Sequence, residues 1–345
     1  MTSRDSHPNL HPSTRPQALK PARRAGSAPL RIGFQMDPLA SLNPQGDSTL
    51  VLMVEAERRG FELFYYHPKS LSLGAEGATA IGNRVTFNWP EGQRPEQNWY
   101  QLGPAVKLHL ASFDVIWLRQ DPPFDLGYIT STHILETVMD RVLVLNHPVE
   151  VRNAPEKIFV MRYPELMPPT LISSQVAEIR EFRREHRDII IKPLFGNGGA
   201  GVFHLRPDDE NLTSLLEIFA RSNPEPLMIQ KYIPAIRQGD KRIILVDGQP
   251  IGAINRVPVA NEARANMHAG GKAEPAELSP RDREVCAAIG DELKNRDLVF
   301  VGIDMIGDYL TEINVTSPTG LQEINRFNQM NCESLIWDAV LKRFE

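Results

Sequence analysis

Residues 299–319, VFVGIDMIGDYLTEINVTSPT, constrain the fold of this chain most tightly. Two runs of strand-forming residues flank the turn pair Gly307-Asp308 and read as a hairpin. Glu312 and Asn314 are two residues apart, so on a strand both side chains leave the same face. Whether Asp304 joins them depends on the loop. A plain two-residue loop sets Asp304 opposite Thr311, on the wrong face. An odd loop (307–309) or a bulge sets it opposite Glu312. We expect the odd register, which collects hard oxygen donors on one rigid face, as Mg²⁺ requires. Alone, the same pattern also describes an ordinary surface hairpin.

With 345 residues the chain can bury more than one core, and two or three domains are expected. A net charge of −5 leaves no basic footprint for nucleic acid. No apolar run approaches the roughly 18–20 residues of a membrane span. Cys286 and Cys332 make neither a disulfide framework nor a metal-ligand spacing. They read as small buried hydrophobes in a reducing cytoplasm. Residues 1–29 hold Pro8, Pro12, Pro16, Pro21 and Pro29 among basic residues, with no apolar core for a secretory signal. This segment is expected to be a disordered extension.

An α/β N-terminal domain is expected over 30–150. Strands at 31–36 (RIGFQM) and 61–66 (FELFYY) flank a helix capped by Asp47 or Ser48. That β-α-β order suggests a parallel sheet, with the loop 37–46 at the carboxyl end of the first strand, where α/β folds bind ligands. Residues 68–105 read as short strands and loops. A strand at 113–118 runs into RQDPP, then come a helix near 128–140 and a strand at 142–145. An α+β unit is expected over 151–345. It opens on a helix capped at Asn153 with Glu156 in reciprocal position, and it divides into a central lobe (about 151–228) and a C-terminal lobe (about 229–345). Its strands are placed at 189–192, 201–205 and 227–232. A hairpin turns at Asp247-Gly248, and a helix opens at Ser279-Pro280.

Gly196, Asn197, Gly198, Gly199, Ala200 and Gly201 lie between two strand patterns. Glycines there let backbone N–H groups converge into an anion nest. A strand follows where a nucleotide-binding P-loop or dinucleotide fingerprint would have a helix, so neither motif fits; the plain alternative is a flexible tip. Lys192 sits in an isoleucine run and either snorkels from an edge or points into a cleft. Lys157, Arg242, Arg256 and Arg264 taken singly read as surface charges. Together with an acidic hairpin they form an inventory for phosphoryl transfer. Residues 257–272, with Gly270-Gly271 as hinge, read as a lid or a surface loop.

The chain resembles the prokaryotic-type glutathione synthetases of the ATP-grasp ligase superfamily. The likeness runs from Leu30 to the C-terminus and rests on MDPLASLN, RQDPPFD, NHPVEVRNAPEKIF, IIIKPLFGNGGAGVF, QKYIPAIRQGDKRI and VGIDMIGDYLTEINVTSPTG. It implies an ATP-grasp module with two antiparallel sheets sandwiching the nucleotide, Lys157 and Lys192 on the phosphates, and the hinge Gln230, Lys231, Tyr232 and Ile233 on the adenine. Asp304, Glu312 and Asn314 would hold two Mg²⁺, replaceable by Mn²⁺. The implied enzyme is an ATP-dependent carbon–nitrogen ligase. It joins γ-glutamylcysteine to glycine through an acyl phosphate, giving glutathione, ADP and phosphate. Arg242 and Arg256 are then the catalytic cations, with Arg264, Asn266, Ser317, Thr319 and Asp37 as substrate contacts. The resemblance also implies a homotetramer. Gln120, Phe195 and Gln322 depart from the family pattern. Two other readings are a ligase for a different acid and amine, and a nucleotide sensor that has lost turnover.

Overall fold

The computed structural model describes residues 28–90, 95, 97–196, 198–222, 224–259 and 270–345. The chain begins with β1 (Arg31–Gln35), α1 (Ser48–Arg58), β2 (Glu62–Gly74), β3 (Gly77–Phe87), β4 (Tyr100–His109), β5 (Val115–Leu118), α2 (Leu126–Glu136), β6 (Leu143–Leu145) and α3 (Pro148–Arg152). These strands form one six-stranded sheet, β4-β3-β2-β1-β5-β6. Strands β2, β1, β5 and β6 run parallel, whereas β3 and β4 are antiparallel. The sheet is therefore mixed, where a parallel one was expected. The expectation of short strands and loops for 68–105 also fails. Strand β2 runs on past Pro68 through an irregularity between Tyr66 and Leu71, and β3 and β4 extend alongside it. Both faces of that extension are partly exposed, so no hydrophobic alternation marks it.

A central lobe follows: α4 (Glu156–Phe159), β7 (Thr170–Ser173), α5 (Val176–His186), β8 (Ile189–Pro193), β9 (Phe203–Leu205), α6 (Leu212–Ser222) and β10 (Leu227–Lys231). Its four strands form an antiparallel sheet, β7-β10-β8-β9. The strand period of two decides what each face does. Ile189 and Ile191 pack with Ile179, Leu215 and Phe219 of the helices. Ile190 and Lys192 face the other way, into a cavity. Helix α4 lasts barely a turn and starts at Pro155 without a side-chain cap, so the expected capping box at Asn153 does not form. Glu156 is instead drawn to Lys157.

The last lobe carries β11 (Asp240–Val246), β12 (Gln249–Val257), β13 (Lys272–Pro275), α7 (Pro280–Asn295), β14 (Phe300–Ile306), β15 (Tyr309–Asn314), α8 (Leu321–Asn328) and α9 (Cys332–Leu341). Its strands form the antiparallel sheet β13-β12-β11-β14-β15. The β11–β12 turn places Asp247 and Gly248 at φ 48° and 75°, the left-handed pair that a tight hairpin demands. A Cβ on Gly248 would stand 2.2 Å from the Gly290 carbonyl of α7, so only glycine fits. Ser279 and Asp282 form the capping box that opens α7.

The N-terminal sheet and the last lobe share a core. Trp337 of α9 packs edge-on to Phe61 and Trp117 and donates its indole N–H to the Leu52 carbonyl (2.8 Å). Asn146, just past β6, donates to the carbonyls of Phe300 (2.8 Å) and Val315 (2.7 Å) and accepts from Phe300 N (3.0 Å). This buried amide clasps the first sheet to the hairpin that carries the site. Asn146→Ala leaves three buried backbone groups unpaired and should lower the unfolding free energy by roughly 2–3 kcal/mol, read from urea denaturation.

Candidate active site

A cavity of about 800 Å³ opens between the central sheet and the last sheet, closed on one side by loops of the N-terminal sheet. Its floor is the hairpin β14–β15. The turn is the two-residue Gly307-Asp308, and a bulge follows between Asp304 and Met305, so that Met305 pairs with Leu310 and Asp304 with Glu312. Thr311 is the extra residue, and its hydroxyl donates to the Asp304 carbonyl (3.1 Å). The bulge thus brings Asp304, Glu312 and Asn314 to one face, the register expected from the sequence. In the same row Arg242 on β11 stands opposite Asp304, and one pair along Asp240 stands opposite Arg256 of β12. Gly302 makes room for Arg242, since a Cβ there would lie 3.1 Å from Arg242 Cδ and 2.9 Å from Pro318.

Charge is compensated pair by pair. Arg242 grips Asp304 with two bonds, Nε to Oδ1 (2.5 Å) and Nη2 to Oδ2 (3.0 Å). Arg256 Nη2 lies 3.0 Å from Asp304 Oδ2 and 2.6 Å from Asp240 Oδ2. From the opposite sheet Lys192 Nζ reaches Glu312 Oε1 at 3.2 Å, and from α4 Lys157 Nζ reaches it at 3.6 Å; Lys157 also donates to the Gly196 carbonyl (2.8 Å). Arg256 and Asp304 are only 3% and 2% exposed, so each charge depends on its partner.

Burial alone would raise Asp304 and Glu312. Arg242 and Arg256 hold Asp304 well below the carboxylate range, and Lys157 and Lys192 hold Glu312 low. Burial alone would lower Lys157, but Glu312 and Glu156 lift it above its ordinary value. Asp240 goes the other way: burial pushes it up to about 7 despite Arg256, and its Oδ1 has no hydrogen-bond partner among the described residues. Two carboxylates and an amide on one face are hard oxygen donors and fit Mg²⁺.

The glycine loop joins β8 to β9, with Gly198, Gly199 and Gly201 at φ 59°, 81° and 71°. Gly196, Gly198 and Gly199 line the cavity; Asn197 lies outside the described residues. At the end of β10, Gln230, Lys231, Tyr232 and Ile233 also line it. The Gln230 amide donates to Thr170 Oγ1 (3.0 Å). Ser317 and Thr319 line the cavity as well, and the Thr319 carbonyl accepts from Arg242 (3.4 Å). Arg264, Asn266 and most of the lid segment lie outside the described residues, as does most of the N-terminal extension.

Asp37 does not line the cavity. Its carboxylate accepts from Asp121 N (2.7 Å), and Asp121 in turn accepts from Ser317 Oγ (2.6 Å). Asp121, Asn43 and Asp47 take the lining position expected of Asp37. Sequence reasoning also missed Asp240 and Glu156. Asp240 was within reach, because Asp-x-Arg on a strand puts both side chains on one face. Gln120, Phe195 and Gln322 stay out of this cavity. Gln120 accepts from Gln35 (2.6 Å), Phe195 stacks on Phe124 (6.0 Å), and Gln322 donates to the Asp47 carbonyl (2.7 Å).

The depressed carboxylates carry a signed pH dependence. Their stabilisation is complete above their ordinary values of 3.8 and 4.5 and is lost as pH falls toward their lower folded values. Glu312→Gln should therefore flatten the loss of stability between about pH 5 and pH 2 in ligand-free protein, read from urea midpoints. Asp304→Asn strands the buried Arg242 and leaves Arg256 to Asp240 alone, and should cost roughly 3–5 kcal/mol at neutral pH, measured in the same way.

Among solved structures the chain is similar in fold to D-cycloserine synthetase DcsG, with TM-score 0.64 at 16% identity over 91% of this chain and 100% of the other. It is similar also to the ATP-grasp ligase PsnB solved with minimal precursor, Mg and ADP, with TM-score 0.57 at 16% identity over 91% and 98%. Among relatives named glutathione synthetase, that of Brucella melitensis is 52% identical over 91% of this chain and 99% of its own length. Those of Agrobacterium fabrum and Pseudomonas putida are 51% and 40% identical, over 90% and 92% of this chain and 96% and 99% of their own. Among the described residues no helix is long and apolar enough to cross a membrane. The model of the prokaryotic glutathione synthetase N-terminal domain matches residues 30–152, and that of the ATP-grasp domain matches 156–329. The chain belongs to the prokaryotic glutathione synthetase family of ATP-grasp ligases.

Proposed function

We propose that the chain is an ATP-dependent ligase joining γ-glutamylcysteine to glycine. The observation that carries this reading is the single cavity wall on which Arg242, Arg256, Asp304 and Glu312 meet Lys192 from the facing sheet and Lys157 from α4. A triphosphate needs such cations on both sides, and the carboxylates beneath suit a divalent ion. Asp304, Glu312 and Asn314 would hold Mg²⁺, two ions by family likeness and replaceable by Mn²⁺. Bound there, Mg²⁺ supplies positive charge against the phosphate oxygens.

The rest is work for the chain's own residues. When a nucleotide enters, Lys157 and Lys192 exchange Glu312 for phosphate oxygens, and the backbone N–H groups of the glycine loop take up further charge. The apolar end, with Ile190, Tyr232 and Ile233, receives the base. Asp121, Asn43 and Asp47 lie toward the acid substrate. The glycyl-accepting carboxylate of the dipeptide attacks the γ-phosphorus, and ADP leaves. The amine of glycine then attacks the acyl carbon, loses a proton, and phosphate departs. Arg242 and Arg256 stand where charge develops in both steps. Preorganised cations in a water-poor site account for the catalysis without a protein nucleophile. By family likeness the enzyme works as a cytoplasmic homotetramer.

Purified protein with Mg·ATP and γ-glutamylcysteine should release ADP in a glycine-dependent manner and form glutathione, followed by mass spectrometry. ADP release with a different acid or amine only would reassign the substrates. Glu312→Ala should lower kcat by roughly 10²–10³-fold or more. Nucleotide binding without turnover in the wild-type chain would point to a sensor.

A further inference from the structure

The cavity has two chemically different ends, and the apolar end has a second layer that the reaction does not use. Tyr232 lines it, and His204 lies directly against Tyr232. The rings are 4.0 Å apart and 14° from parallel. His204 sits on β9 opposite Ile190 of β8, so its side chain leaves the sheet on the cavity side. Its Nε2 donates to Asp188 Oδ1 (2.6 Å), and its side chain is only 13% exposed. Asp188 also accepts, through its backbone carbonyl, from Tyr232 N (2.9 Å). Asp188 therefore holds Tyr232 twice, directly by the backbone and through the histidine by the ring.

A valine or isoleucine at position 204 would satisfy the strand equally well. Histidine adds two things: a flat face that can stack and a ring nitrogen that can be pinned. A half-buried tyrosine lining a cavity, as Tyr232 is, has two side-chain torsions, and ordering them on ligand binding costs free energy. Stacking against a pinned ring removes that cost beforehand.

We propose that His204, fixed by Asp188, is a positioning residue that presets the Tyr232 ring and so raises affinity for the nucleotide, with no part in bond making. The inference rests on the nucleotide reading given above. The chemistry takes place at the Lys157, Lys192 and Arg242 end, so the effect belongs in nucleotide binding and not in turnover.

The test compares His204→Ala, His204→Phe, Tyr232→Ala and the double variant His204→Ala/Tyr232→Ala. Isothermal titration gives the Kd for ADP with Mg²⁺, and steady-state kinetics gives KM for ATP and kcat. His204→Ala should raise Kd and KM about 3- to 10-fold and leave kcat within about two-fold. His204→Phe keeps the stacked face and should recover most of the affinity. On the Tyr232→Ala background, loss of His204 should add nothing, because its effect passes through that ring. Unchanged Kd and KM in His204→Ala overturn the proposal, as do additive effects in the double variant. A parallel fall in kcat and melting temperature also overturns it, by assigning His204 to the fold. If wild-type protein fails to bind Mg·ADP, the nucleotide reading itself falls; if it binds and His204→Ala binds equally, only the clamp falls.

Discussion

The ion cluster around Asp304 is the constraint on which the site depends. One carboxylate, buried at the middle of a sheet, is gripped by two guanidinium groups from the two next strands. Burying any of these charges alone costs several kcal/mol, so the three strands must keep register for the cluster to survive. The bulge after Asp304 is part of the same constraint. Without it the strand would send Glu312 to the core face, take from Lys192 its ion-pair partner and leave Lys157 to Glu156. Arginine suits the positions beside Asp304 because its planar fork can occupy both carboxylate oxygens at once.

Such a cluster also explains how the site can exist before its ligands arrive. Four cations meant for a polyanion would repel one another in a dry cleft. Here Glu312 and Glu156 offset the lysines and Asp304 and Asp240 the arginines, and Asp304 and Glu312 are also the residues that suit a divalent ion. Ligand binding then exchanges partners within a fixed frame, and little reorganisation is left for the reaction itself. Asp240 serves that frame differently. Burial pushes it up to about 7 despite Arg256, and among the described residues its Oδ1 has no hydrogen-bond partner.

The frame is held by contacts distant in sequence. Asn146 ties the end of the first sheet to β14 and to the segment after β15, and Trp337 packs α9 against α1 and β5. Arg119, bonded to Thr49 Oγ1 and the Pro318 carbonyl, joins the first sheet to the loop that carries Ser317 and Thr319. The N-terminal sheet thus places one wall of the cavity and also supports the hairpin floor.

Much of this was legible in the sequence. Gly-Asp marked the hairpin whose odd register united Asp304, Glu312 and Asn314, and Lys192 in its isoleucine run read as either an edge residue or one pointing into a cleft. These are local matters, governed by side-chain direction and turn sterics over a few residues. The long strands of 68–105 escaped because the end of β2 and most of β4 are exposed, β3 buries small residues such as Ala78 and Ala80, and Pro68 and Gly82 punctuate the run, so no pattern announces them. What only the tertiary structure decided was partnership. Arg242 and Asp304 are 62 residues apart, Ser317 and Asp121 are 196 apart, and nothing in either neighbourhood names the other. For the same reason Asp37 yielded the cavity to Asp121, and Asp240 became a buried partner of Arg256. Strand sequence determines which way a side chain points, but the charge that meets it there is chosen by how the sheets are brought together.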